Sequence, residues 1–158
     1  MGFQISDLQA YAGRFYGGAP ILITPFAYTA TFGTIANAET GLATVNIASN
    51  GDFICTELSY NVILNEADVA NTQINLFKLQ IEDTGSNEKF FNQPVMLDNI
   101  CNNSWGIQSF AFPRFISGKT ALQIALTNVS GEFNQAQSLS DGINVVLAGA
   151  LVRVFQTA

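Results

Sequence analysis

Glu57, Glu82, Asp83 and Glu88 are the acids of this 158-residue sequence that come nearest to a carboxylate pair. A two-carboxylate glycosidase needs both groups facing one cleft, one to protonate the leaving group and one to attack or to activate water. Glu82 and Asp83 are neighbours, so in an extended strand they point to opposite faces, and loop solvation is the plainer role for these acids. Histidine is absent, which removes the usual general base, the usual zinc ligand and the Ser-His-Asp triad together. The loop Glu82-Asp83-Thr84-Gly85-Ser86-Asn87-Glu88 gathers hard oxygens suited to calcium, but its spacing matches no calcium loop, and a solvated hairpin loop accounts for it. Gly13 to Gly18 supplies glycines without the Gly-x-x-x-x-Gly-Lys spacing or the preceding strand of a phosphate cradle. Cys55 and Cys101 fit no metal or redox motif. As buried thiols they act as small hydrophobes, which favours a reducing cytoplasm. Asn102-Asn103-Ser104 and Asn128-Val129-Ser130 satisfy the glycosylation pattern in an Asn-rich chain where such matches arise by chance. The expectation is a chain that is not an enzyme and carries no catalytic residue, cofactor or metal.

Composition points away from several other classes. Charged residues make up 11% of the chain, against about 25% in an average soluble domain, while the mean hydropathy is +0.25. Fifteen Asn and ten Gln, with many Ser and Thr, must supply the polar surface. Such groups enter contacts without the desolvation penalty of Lys or Glu, so this surface suits permanent neighbours. The net charge of −6 and the scattering of Arg14, Lys78, Lys89, Arg114, Lys119 and Arg153 argue against nucleic acid. The stretch from Ala19 to Phe32 contains Pro20 and Pro25 and falls short of the ~20 apolar residues a membrane span requires. The N-terminal decapeptide has neither a basic n-region nor a continuous apolar h-region, so no secretory signal is expected.

The pattern along the chain predicts one all-β domain, an antiparallel β-sandwich of jelly-roll type preceded by an extended N-terminal arm. Residues 1–40 form the arm and edge segment, and residues 41–158 the sandwich. Ser6-Asp7-Leu8-Gln9 reads as a capping box opening a short helix through Ala12, stopped by Gly13, Gly17 and Gly18. Pro20 and Pro25 place Phe15–Phe32 at a sheet edge or in a wrapping arm. Gly41–Ser49 and Asp52–Leu64 read as a hairpin around Asn50-Gly51, with Ile54, Leu58, Tyr60, Val62 and Leu64 sharing a face. Ile74–Ile81, a bent Phe90–Leu97, and Trp105–Phe112 ending at Pro113 are further strands, separated by the polar loops Asn65–Thr72 and Glu82–Lys89 and the Asn-rich turn Asp98–Ser104. Leu122, Ile124 and Leu126 mark a strand that ends at Thr127–Gly131, and Glu132–Gly142 is loop. Ile143–Phe155 closes the domain with two apolar faces: Val145, Leu147, Leu151 and Phe155 on one, Val146, Ala148, Ala150, Val152 and Val154 on the other. The second face needs cover, and a second copy of the protein is the expected supplier. Gly149, in mid-strand, would allow a bend or a close backbone approach.

Trp105, Phe110, Phe112 and Phe115 could stack on sugar rings, but thirteen Phe in one sandwich are better spent filling the layer between sheets. Phe3, Ile5, Tyr11, Phe15 and Tyr16, outside the regular strands, are the expected anchors of an arm laid on a neighbour, joined at the subunit contact by Val152 and Val154.

From Phe112 onward, the order is Pro113-Arg114-Phe115-Ile116-Ser117-Gly118, then Leu122–Gly131 with Thr127-Asn128-Val129-Ser130-Gly131, then Ile143–Phe155. This resembles the closing half of small β-sandwich virion proteins of tailed bacteriophages, where an aromatic-Pro segment precedes a strand, Thr-Asn-x-Ser-Gly, strand hairpin. The resemblance implies a capsid decoration (cement) or other virion structural protein, often a homotrimer, whose partners are itself and the major capsid protein or another virion protein. It implies assembly in the host cytoplasm and no catalytic residues. The competing expectation is a trimeric jelly-roll binding module, such as the receptor- or carbohydrate-binding tip of a fibre.

Overall fold

Alternation of apolar and polar side chains turns one face of a strand to the core and the other outward, and most of this chain follows that rule. The computed structural model describes residues 5–36, 38–63, 77–101, 107–129 and 142–154. One helix, α1 (Ile5–Gly13), precedes strands β1 (Ile21–Phe32), β2 (Thr40–Asn46), β3 (Asp52–Ile63), β4 (Phe77–Asp83), β5 (Glu88–Lys89), β6 (Val95–Met96), β7 (Ile107–Ile116), β8 (Ala121–Asn128) and β9 (Gly142–Val154). A single helical turn, Leu97–Ile100, follows β6. Phe3, Leu64, the loops at 65–72 and 132–141, the strand start at Ile74, Trp105 and Phe155 lie outside the described residues, and only the backbone is described for Ile5, Val62, Phe110 and Phe112.

Two antiparallel sheets pack face to face. The first has the order β1-β9-β3-β7, and the second β2-β8-β4-β5, with β6 also on β4. The pairing is nested: β1 with β9, β2 with β8, β3 with β7, and β4 with β5 and β6. A long antiparallel hairpin rolled up on itself has this order, so the fold is an all-β jelly-roll sandwich. Phe53, Leu58, Val145 and Leu147 of the first sheet meet Leu79, Ile81, Leu122 and Ile124 of the second in one buried core. Cys55 and Cys101 are buried there as separate thiols. Asn128, wholly buried at the end of β8, donates its Nδ2 to the Ile35 carbonyl at 2.8 Å, so this Asn of the glycosylation pattern faces inward.

Four local expectations are corrected. Gly41–Ser49 and Asp52–Leu64 do not form a hairpin: β2 pairs with β8, whereas β3 runs between β9 and β7. Among the described glycines only Gly17 and Gly18 have positive φ, so Asn50-Gly51 lacks the primed-turn geometry of a tight hairpin and instead turns the corner between sheets. The faces of β3 also change partway. Cys55 lies opposite Gly149 and Glu57 opposite Ala148, so Thr56 is an extra residue, a β-bulge that shifts alternation by one. Phe53 and Cys55 therefore share the core with Leu58, while Ile54 joins the outer face. Pro113 does not end its strand, because β7 continues to Ile116. β7 is an edge strand, and its register against β3 jumps from Arg114 opposite Cys55 to Ser109 opposite Glu57, so Pro113 sits within that irregularity and interrupts no regular ladder. Finally, α1 begins at Ile5, which puts Ser6 inside its first turn instead of at its cap.

Candidate interaction surface

The outer face of the first sheet is apolar at one end. Ile54, Ala150 and Val152 are buried there beneath Leu8 and Ala12 of α1, with Tyr11, Tyr16, Ile21, Ile23 and Phe115 packed around them. The sequence explains the fit: Leu8 and Ala12 are four residues apart and so share a helix face, and the bulge at Thr56 turns Ile54 toward them. Phe15 stacks on Phe115 with centroids 4.1 Å apart and planes 10° from parallel, and Tyr11 meets Phe15 edge-on at 5.2 Å. The Tyr11 hydroxyl donates to the Pro113 carbonyl at 3.1 Å, and the Tyr16 hydroxyl donates to Asp52 Oδ2. Burial, and then the Asp52 carboxylate, raise the Tyr16 pKa above its ordinary value.

Tyr11, Phe15, Tyr16, Val152 and Val154, expected at a subunit contact, thus come together at one end of this molecule. At Val152, which is 1% exposed, the element above the sheet is the chain's own α1. Residues 21–32, grouped with the arm on sequence, pair with β9 along their whole length as the outer strand of the first sheet. Phe15 and Val154 remain 49% and 44% exposed.

The four acids singled out on sequence divide between the two sheets. Glu57 lies on β3 of the first sheet, whereas Glu82 and Asp83 end β4 in the second, opposite Lys89 and Glu88. Asp83 Oδ1 accepts from the Gly85 N–H at 2.9 Å and from Thr120 Oγ1 at 2.7 Å, so it fastens two turns together. Asp52 does the same nearby, accepting from the Gly118 N–H at 2.6 Å through Oδ1. A shallow cleft of about 240 Å³ opens beside it, lined by Tyr16, Asp52, Gly118, Lys119, Arg153 and Val154 among others. Among the described residues, no group of three or more His, Cys, Asp or Glu could hold a metal ion.

Half-buried Arg114 on edge strand β7 donates to the Phe90 carbonyl at 2.8 Å, with its guanidinium 4.4 Å from the centre of the Phe90 ring. Close by, burial pushes the Cys55 thiol up to about 12 from an ordinary 9.0, an effect that Arg114 only partly opposes. The folded chain holds this proton more tightly than the unfolded one. The contribution of Cys55 to stability is therefore intact below about pH 9 and is lost as pH rises toward 12. Denaturant melts at stepped pH are expected to show stability falling along this alkaline limb, with a shallower fall in Cys55→Ala.

Among the described residues, β1 and β2 each form a sheet edge without a charged residue, and β1 is the longer. Exposed edge strands are normally blunted by charge, proline or a covering loop. Here Pro25 is present, but no charged residue occurs from Phe15 to Ala38. Leu22 and Phe26, on the core-facing side of β1, stay 43% and 41% exposed, because the second sheet does not reach over them. No matching family model and no matching curated protein is found for this chain. Pro20 and Pro25 in the sequence place Phe15–Phe32 at a sheet edge or in a wrapping arm, and residues 21–32 are that edge. The signal that marks it is the uncharged run itself, set against a strand that the fold leaves open.

Proposed function

We propose that this protein is a non-enzymatic structural subunit of a virus particle, a decoration or cement protein that docks on a shell through uncharged surfaces. The observation that carries the proposal is the open β1 edge, a twelve-residue strand without a charge and with Leu22 and Phe26 exposed. A protein that works alone guards such an edge against aggregation, whereas a subunit that is always covered has no need to. The jelly-roll order is in keeping, since capsid and lectin domains both use it, although a fold alone does not assign a function. Quantitative mass spectrometry of purified particles tests the proposal. The expected result is a fixed copy number relative to the major capsid protein, and absence from the particles would contradict it.

One observation favours a second reading, a carbohydrate-binding fibre tip. The Phe15 ring is backed by Phe115 yet half-exposed, as a stacking platform for a sugar would be. A glycan that raises the melting temperature in wild type but not in Phe15→Ala would support that reading over the first.

A further inference from the structure

We propose that the shallow cleft beside Asp52 binds a small organic anion, a sugar-sized molecule bearing a carboxylate or a phosphate, through Lys119 and Arg153. The inference goes beyond the structural-subunit reading and does not depend on it.

Three backbone segments meet at the cleft: the corner before β3, the turn between β7 and β8, and the end of β9, with Tyr16 closing one side. Two close approaches fix its floor. A Cβ on Gly118 would lie 2.3 Å from the Gly51 carbonyl oxygen, and one on Gly51 would lie 3.0 Å from the Val152 carbonyl oxygen and 3.2 Å from Cγ of Arg153. Backbones packed this closely hold the groups around them in place before any ligand arrives, which lowers the cost of binding.

The ligand follows from charge. The chain has twelve acids and six bases, yet the residues lining this cleft include two bases and one acid. That acid is already engaged, since Asp52 accepts from the Tyr16 hydroxyl through Oδ2 and from the Gly118 N–H through Oδ1. The bases are not. Lys119 and Arg153 are exposed, and neither side chain meets a carboxylate among the described residues. The Arg153 fork matches two oxygens of a carboxylate or phosphate, and the Lys119 ammonium adds a point charge. At about 240 Å³ the cleft is smaller than the ~300 Å³ at which drug-sized pockets begin, which limits the occupant to about one sugar ring.

Lys119 also stands in an uncommon backbone conformation. Its φ of 65° lies in the left-handed region, which glycine enters at lower cost, and its N–H donates to the Ala48 carbonyl at 3.3 Å. The turn would therefore fold at least as well with glycine, so the lysine side chain is not what the turn requires.

Titration of the isotope-labelled full chain with glucuronate, glucose phosphate and glucose, followed by amide shifts, tests this in wild type, Lys119→Gly, Arg153→Gln and a control. The control is Lys78→Gln, opposite Thr127 at the far end of β8. In wild type one or both anions should shift the amides of Gly51, Gly118, Lys119 and Arg153 saturably, and more weakly at high salt, whereas glucose should not. The tighter of the two anions tells carboxylate from phosphate. Lys119→Gly and Arg153→Gln should each weaken that binding about tenfold or more, the loss of one charge-assisted hydrogen bond, and Lys78→Gln should leave it unchanged. Lys119→Gly should melt no lower than wild type, which separates loss of binding from loss of fold. Glucose binding as tightly as the anions overturns the proposal, as does binding that survives both substitutions at the cleft. So does the absence of any saturable shift at these amides with either anion. Each of these results leaves the structural-subunit reading standing, because that reading is tested by copy number in particles.

Discussion

Gly149→Ala will cost the fold about 3 kcal/mol or more and leave much of the protein unfolded under ordinary conditions. A Cβ at this position would lie 1.8 Å from the Ile54 carbonyl oxygen and 2.9 Å from its carbon. Both are backbone atoms of β3, which is itself held between β9 and β7. Neither strand can retreat without breaking its ladder, so the substitution forces strain into the centre of the sheet. Gly33→Ala is the control: nothing lies within 4 Å of its added carbon, and a change of no more than about 0.5 kcal/mol is expected. Equilibrium denaturation of both variants measures the contrast.

Val152→Asp should destabilise by about 4 kcal/mol, through burial of an unpaired carboxylate against Leu8, Ala12 and Ile54. The cheapest relief is for α1 to leave the sheet, so trypsin should cut faster after Arg14, immediately beyond the helix. Val154→Asp, at a 44% exposed position two residues along the same face, should change stability by no more than about 0.5 kcal/mol. A Val152→Asp variant that kept its stability and merely dissociated an oligomer would instead place this residue at a subunit contact.

Much of the architecture was legible because period-two alternation is a local signal. Leu122, Ile124 and Leu126, or Phe77, Leu79 and Ile81, declare a buried face whichever strands they pair with. Pairing itself is non-local. Asn50-Gly51 looked like a hairpin turn because the dipeptide permits one, yet the corner it forms is fixed by distant residues, with Gly118 bound to Asp52 and Lys119 N–H donating to the Ala48 carbonyl at 3.3 Å. The bulge at Thr56 was equally hidden, since one inserted residue exchanges the faces of Ile54 and Cys55 without altering composition. Gly149 was readable in kind, as a close approach of backbones, but the partner strand was not.

The candidate surface was half legible. Aromatic residues before the first strand do gather around Val152, but sequence cannot tell a helix folded back on its own sheet from one laid on a neighbour. Both bury the same residues, and only the length and course of the connection at 14–20 decide between them. On the second face of Ile143–Phe155 the chain's own α1 covers Ala150 and Val152, an intramolecular cover that period-two alternation does not reveal.

The central claim is that the uncharged edge of β1 is covered when the protein works. Hydrogen–deuterium exchange of the segment Ile21–Phe32, compared between the isolated chain and purified particles that contain it, tests this most directly. Strong protection of that segment on the particle is the predicted result, and equal exchange in the two states would contradict the account.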